Sequence, residues 1–277
     1  MIAPAWTYYA AFFVGPLLII VAYAFATRTG LLGVRFGLYA ENFTDLWDPL
    51  WLKIYGNTFL MAFLGTAGCL LVSYPFAYWL ATRVRRRRTL LLILVIVPFW
   101  TSILIRTYAW QLILTPRGPL SSLLQALNVI ANPLDVLFTS RAVFVGLVYD
   151  YLPLMVFPLY VSLERLDRRL VEASRDLGVG RWGTFWRVTV PLTMPGILTG
   201  CLLVFVPMTG EYVVPTILGG AKLALFGTIV GNQFLDAFNW PFGAAMSLVL
   251  VLFLLLVIFL YLRFLGRRAE QALGATL

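Results

Sequence analysis

Three charges stand inside otherwise apolar stretches of the chain: Arg106, Asp150 and Glu211. A charge at bilayer depth is costly, and it marks a solute or ion path or is neutralised by a partner. As a carboxylate pair, Asp150 and Glu211 would suit aspartyl-type hydrolysis, which needs two acids sharing one site. One Asp and one Glu on separate segments, without a nucleophile motif, give that chemistry weak support. The chain has no histidine, so the commonest general base and zinc ligand are missing. Its two cysteines, Cys69 and Cys201, lie in apolar stretches and make neither a disulfide framework nor a metal site. Neither of the two lysines, Lys53 and Lys222, follows a glycine, so the chain carries no phosphate-binding loop. The sequence thus predicts no catalytic residue, no metal and no ATP hydrolysis by this chain.

Two readings of the three charges stay open. Arg106 neutralises one acid and fixes helix packing, or the acids line a translocation path and offer negative charge to a cationic solute. Both can hold at once. Trp100, Trp110, Tyr149, Tyr151 and Tyr212 lie near the charges in sequence. Their ring faces suit ammonium groups through cation–π attraction, or they pack at the membrane interface. The predicted pathway set is Asp150, Glu211, Arg106, Trp110, Tyr151 and Tyr212.

A second constellation lies in the polar segment 164–192. Leu166, Leu170, Ala173 and Leu177 recur at steps of four, three and four, the stripe of a short amphipathic helix. Arg168 and Arg175 flank Glu172 at four and three residues, spacings that allow ion pairs along the polar face. Gly178 is placed as a helix terminator, where glycine adopts positive φ freely. A turn with Trp182, Phe185 and Trp186 follows, and Pro191 and Pro195 open the next apolar run. The result is a helix–glycine–helix knob whose apolar stripe needs a partner. Anionic lipid and a protein groove fit the pattern equally well.

These groups must be positioned by elements that live in lipid. Of 277 residues, 61% are hydrophobic and 12% charged, about half the charge fraction of a soluble domain. A membrane helix needs roughly 20 apolar residues, and six segments qualify: about 5–27, 54–82, 88–114, 142–163, 193–218 and 240–262. Ala22-Tyr23-Ala24 resembles a signal-peptide cleavage site, but no basic region precedes it and Trp6, Tyr8 and Tyr9 are bulky, which favours a retained span. With both termini cytoplasmic, fourteen of the 21 basic residues fall on inner segments (83–88, 164–192 and the C-terminal end) and six on outer loops (28–53, 115–141 and 219–239). The positive-inside rule favours that orientation. The formal charge of +9 therefore reflects topology and contact with the lipid bilayer, and nucleic acid is not expected. Arg106 lies eleven residues before Arg117, Asp150 nine after Arg141 and Glu211 eleven before Lys222, so all three charges fall in one layer outside the midplane. Pro195, Gly196, Gly200, Pro207, Gly210 and Pro215 interrupt the fifth segment, which makes 207–215 a candidate gate or a packing kink. No paired broken helices of the kind that mark inverted repeats are expected.

The run Glu172-Ala173-Ser174, three residues, Gly178, nine residues, Val188-x-Val190-Pro191 resembles the "EAA" loop of bacterial ATP-binding-cassette importer permeases, with Ser174 in place of the usual alanine. Pro98-Phe99-Trp100-Thr101-Ser102, Ile105 to Trp110, Tyr149 to Pro153 and Gly210 to Pro215 resemble the spermidine/putrescine permease subgroup, over about 50–265. The resemblance implies an all-α membrane protein of six transmembrane helices with the type I (MetI-like) permease architecture. It would be one permease domain over 1–277, with a core at 50–265 and a coupling segment at 164–192. It implies a non-catalytic subunit in the bacterial inner membrane. The implied partners are cytoplasmic ATPase subunits that bind ATP and Mg, a second homologous permease and an extracytoplasmic solute-binding protein. The implied coupling residues are Glu172, Ala173, Ser174, Asp176, Leu177, Gly178, Trp182 and Phe185. A polyamine is the leading solute, with opines or amino acids in the same importer class as the alternative, and a proton-coupled secondary transporter as the other reading.

Overall fold

The computed structural model describes residues 3–30, 33–84, 86–220 and 223–274, the side chains of 3–5 and 264–274 excepted. Arg85 of the arginine run, the depth marker Lys222, and the side chains of Arg267 and Arg268 lie outside the described residues. In chain order, α1 (Ala3–Tyr9) continues through a π-helical turn (Ala10–Val14) into α2 (Gly15–Ala24). Then come β1 (Thr27–Thr29), β2 (Gly33–Arg35), α3 (Glu41–Asp45) and α4 (Pro49–Arg83). Next are α5 (Arg88–Phe99), α6 (Ile103–Leu114), α7 (Pro119–Ala126), α8 (Ser140–Glu164) and α9 (Arg168–Asp176). After α10 (Arg181–Thr184), a second π-helical turn (Phe185–Thr189) leads into α11 (Val190–Leu192). The chain closes with α12 (Met194–Thr209), α13 (Val213–Gly219), α14 (Phe226–Leu235) and α15 (Trp240–Gly274).

Among the described residues, four helical stretches are long and apolar enough to cross a membrane: Trp6–Ala24, Pro49–Arg83, Ser140–Glu164 and Trp240–Arg263. The predicted third span is broken within its length, and the chain bends at the start of the predicted fifth span. Arg88–Phe99 meets Ile103–Ala126 at 89°, and Arg181–Leu192 meets Met194–Thr209 at 64°, so the count reaches six only if each bent pair is one span. The first bend follows Pro98, which removes a helical N–H and crowds the preceding turn. The break in the third span is not one the sequence leads one to expect, whereas interruption of the fifth segment is expected from its prolines and glycines.

The structure divides into two contact units, Met1–Thr58 with Ala224–Leu277, and Phe59–Leu223. In the first, α2 packs on α15, and Ala24, Leu46, Phe226, Phe242, Ala245 and Met246 form the buried centre. Asn42 ties off the end of α2 by donating to the carbonyls of Ala24 and Ala26 at 3.1 and 2.7 Å. The Thr58 hydroxyl accepts from the Phe226 N–H at 2.8 Å, which satisfies a donor at the start of α14. A two-stranded antiparallel hairpin pairs Thr27 with Arg35 and Thr29 with Gly33 within the predicted loop 28–53.

In the second unit α8 is the spine. Half of its apolar window is buried, against 6% for the first span. Without a hydrophobic drive between helices in lipid, close approach needs small residues, and α8 is met by them. A Cβ on Gly196 would stand 2.4 Å from Ser162 Cβ, and one on Gly200 would stand 2.7 Å from Met155 Sδ. Both glycines lie in regular α12, so they serve packing against α8 and not the kinking expected of them.

Candidate functional site

The break between α5 and α6 places Arg106 on the first turn of α6, facing back across the bend. Its Nη1 donates to the Pro98 carbonyl at 2.9 Å, at the end of α5, where helical carbonyls lack partners and a positive charge is favoured. Its Nε lies 2.9 Å from Asp150 Oδ1, and its Cζ sits 5.6 Å from the Phe99 ring centre. The side chains are 10% and 2% exposed, so this is a buried ion pair. The Nε–H is not aimed along the Nε–Oδ1 line, and among the described residues neither Asp150 oxygen accepts a hydrogen bond. Charge, not hydrogen-bond geometry, holds the two together. Arg106 thus joins three parts: the end of α5, the start of α6 and the middle of α8.

Glu211 is treated differently. It sits in the unwound turn 210–212 between α12 and α13, not inside a helix as the sequence suggested. One carboxylate oxygen accepts the Tyr151 hydroxyl at 2.5 Å. The other accepts the backbone N–H groups of Val213 and Val214 at 2.9 and 3.4 Å, donors that the first turn of α13 leaves free. Among the described residues no cation lies within 4 Å of it. So Arg106 neutralises Asp150 alone. Glu211 is held instead by backbone N–H groups and a phenol. Asp150 and Tyr151 are sequence neighbours on α8, and through them one helix turn meets both features.

The aromatic members of the predicted set separate. Tyr151 is buried and bonded to Glu211. Trp110 packs edge-on against Tyr149, centres 5.4 Å apart. Among the described residues neither Trp110 nor Tyr212 makes a hydrogen bond or ring contact with the acids; Tyr212 gives its carbonyl to the Thr216 hydroxyl at 2.6 Å. The Pro98 carbonyl is a member that sequence reasoning missed. Its trace is a proline closing a helix, a Ser N-cap at 102 and an arginine one turn later.

The segment 164–192 forms the expected knob. The Asp167 side chain accepts the Arg169 N–H at 2.9 Å and so caps α9. Gly178 takes φ +81°, with its N–H on the Arg175 carbonyl (2.9 Å) and the Val179 N–H on the Ser174 carbonyl (3.2 Å). That pair of bonds is a Schellman ending, which needs the left-handed residue at Gly178. Glu172, Ala173, Asp176 and Gly178 face outward, as do Leu170 and Leu177, the latter 84% exposed. Trp182 and Trp186 are exposed as well.

Two predicted coupling residues point inward. Ser174 is buried, its hydroxyl 3.2 Å from that of Thr184. Phe185 packs edge-on against Tyr74 and Tyr78 of α4, centres 5.7 and 5.8 Å away. They fix the knob to the body, with Thr184 as a partner that no sequence pattern marks. The anticipated pairs of Glu172 with Arg168 and Arg175 are not formed among the described residues. Arg168 donates instead to the Ala81 carbonyl at 3.2 Å, in the last turn of α4, where a cation is favoured.

Residues 73–271 match the family model described as the binding-protein-dependent transport system inner membrane component. The chain is 45% identical over 248 residues to the spermidine/putrescine transport system permease protein PotB of Escherichia coli, covering 90% of each chain. It is 43% identical over 258 residues to that of Haemophilus influenzae, covering 92% of this chain and 90% of the other. Its fold resembles a solved bacterial alginate ABC transporter in complex with an alginate-bound periplasmic protein, with TM-score 0.73, 15% identity, and 94% and 91% of the two chains covered. The interrupted α-helical membrane unit and its knob therefore have their place: the chain belongs to the inner-membrane permease components of binding-protein-dependent ABC importers.

Proposed function

We propose that this chain is the permease subunit of an ATP-driven importer for polyamines. The observation that carries this is the 45% identity over 90% of both chains to a spermidine/putrescine permease. An acid left without a cationic partner, Glu211, supports a cationic solute. In this reading the four long helices and the two bent pairs make six spans, both termini are cytoplasmic, and 1–277 is a single membrane domain with its core at 50–265. The outward stripe of Leu170, Ala173 and Leu177, with Glu172, Asp176, Gly178 and Trp182, docks on an ATPase subunit. Ser174 and Phe185 hold that stripe in place. A second permease completes the path, a solute-binding protein delivers the polyamine, and ATP is hydrolysed by the ATPases alone. Glu211, backed by Tyr151, meets the ammonium groups, while Asp150 and Arg106 hold the frame around it.

The test is uptake of labelled spermidine or putrescine into vesicles holding the complete transporter, its binding protein and enclosed ATP. Uptake is expected to need all components. Leu177→Asp should abolish ATP-driven uptake while the chain still inserts. Glu211→Gln keeps the acceptor for the α13 N–H groups but removes the charge, and should raise the half-saturating polyamine concentration about tenfold, ~1.4 kcal/mol. Uptake of an opine or amino acid in place of polyamine would overturn the solute. Uptake by the chain alone, driven by a proton gradient, would overturn the importer mechanism.

A further inference from the structure

Beside the knob lies a cleft of about 420 Å³ that shares only Glu172 with the proposed docking face. Its walls are the last turns of α4 and α8 and the inner edge of α9. Three arginines, Arg83, Arg168 and Arg175, line it together with Leu163 and Val171. Two carboxylates also reach it. Glu164 is already paired with Arg88 at 2.6 Å, which leaves Glu172 against three arginines. Among the described residues neither Arg83 nor Arg175 forms an ion pair. Arg168 spends one bond on the Ala81 carbonyl.

Like charges gathered in one cleft repel unless an anion joins them. Guanidinium forks match phosphate oxygens two by two, which makes arginine the preferred phosphate binder. The cleft's position narrows the choice. Arg83 and Glu164 end two stretches long and apolar enough to cross a membrane, a position that suits contact with headgroups. Basic pockets between membrane helices take anionic headgroups. We propose that this cleft binds a phosphate oxyanion, supplied by the headgroup of an anionic phospholipid, which bridges α4 and α9 and props the knob. The inference does not depend on which solute is carried.

The experiment uses the detergent-solubilised chain with the subunits that co-purify with it. Short-chain phosphatidylglycerol, short-chain phosphatidylcholine and inorganic phosphate are titrated in separate arms by calorimetry. The wild type should bind phosphatidylglycerol. The double variant Arg83→Gln with Arg175→Gln, which spares the Arg168 bond, should bind it roughly thirtyfold more weakly, two surface arginines' worth. Arg83→Lys with Arg175→Lys should fall between, and its co-elution with the other subunits shows that the fold is kept. If inorganic phosphate binds as tightly as the lipid and is lost in the Gln variant, the oxyanion site stands and the free ion is its source. Equal binding of phosphatidylglycerol by wild type and Gln variant would overturn the proposal, as would equal binding of the two lipids. So would a Gln variant that loses its ATPase subunit but keeps the lipid, since the arginines would then belong to the protein contact.

Discussion

Arg106 and Arg168 do the same local job in two regions of the molecule. Each donates to a carbonyl at the end of a helix, Arg106 to Pro98 of α5 and Arg168 to Ala81 of α4. What surrounds them differs. Arg106 is nearly buried and sits 2.9 Å from a buried carboxylate. Arg168 is exposed, and Glu172, four residues on, is left without it. Asp150 is buried, so its charge would be stranded away from water unless it is settled within the chain. On the knob, water can solvate a lone Glu or Arg, so pairing brings little and the groups stay available for a partner. The contrast also singles out Glu211, the one acid of the charged layer that no described cation settles.

The strongest test of this contrast removes each arginine in turn. Arg106→Ala leaves Asp150 buried and unpaired, and should lower the stability of the purified complex by about 3–5 kcal/mol. Asp150→Leu combined with Arg106→Leu should cost much less, because no charge is then stranded. Arg168→Ala should stay within about 1 kcal/mol. Thermal unfolding followed by tryptophan fluorescence measures all three. Equal losses for Arg106→Ala and Arg168→Ala would erase the distinction between the two regions.

Gly178 offers a middle-sized test on the knob alone. No atom lies within 4 Å of where its Cβ would stand, so Gly178→Ala meets no clash. Its φ of +81° is the obstacle, worth about 1–2 kcal/mol to a residue with a Cβ. The expected result is a knob whose Schellman ending is weakened, with reduced co-purification of the ATPase and an unchanged charged layer. Gly178→Asn should recover part of the loss, because Asn tolerates the left-handed region. A full recovery by Ala would mean that the backbone turn does not set the docking geometry.

Sequence reading found what depends on one dimension. Run length gave the positions of the apolar stretches, since a span needs only enough consecutive apolar residues. Period and terminator gave α9, because the leucine stripe and Gly178 are both local features, while the Asp167 cap went unread. Bends were harder. The 89° turn after Phe99 is marked only by Pro98 and Ser102 in a run as apolar as its neighbours. Arg106 does meet Asp150, whose neighbour Tyr151 bonds Glu211, yet which acid Arg106 takes depends on how α6 folds back onto α8. Glu211 looked like a buried helical acid because an unwound turn within an apolar run leaves the composition unchanged. The two glycines of α12 misled in the other direction: glycine suggests bending when read along one helix, and close packing only once the facing helix is known.

The inner face of α9 gives the smallest expected effect and the finest distinction. Ser174 is buried and only 3.2 Å from the Thr184 hydroxyl, while Thr184 also reaches the Val179 carbonyl at 3.3 Å. In Ser174→Ala the Thr184 hydroxyl therefore keeps an acceptor, and no buried polar group is orphaned. A neutral hydrogen bond lost without stranding its partner costs about 1 kcal/mol or less. Ser174→Ala should thus leave polyamine uptake and ATPase co-purification close to wild type, with a small drop in melting temperature. Ser174→Leu has no room beside Thr184, and should loosen α9 from the body and weaken docking though no outward residue has changed. If Ser174→Ala alone abolished docking while its melting temperature stayed put, Ser174 would have to touch the partner directly. The inward placement that separates it from Glu172 and Leu177 would then be wrong for the assembled transporter.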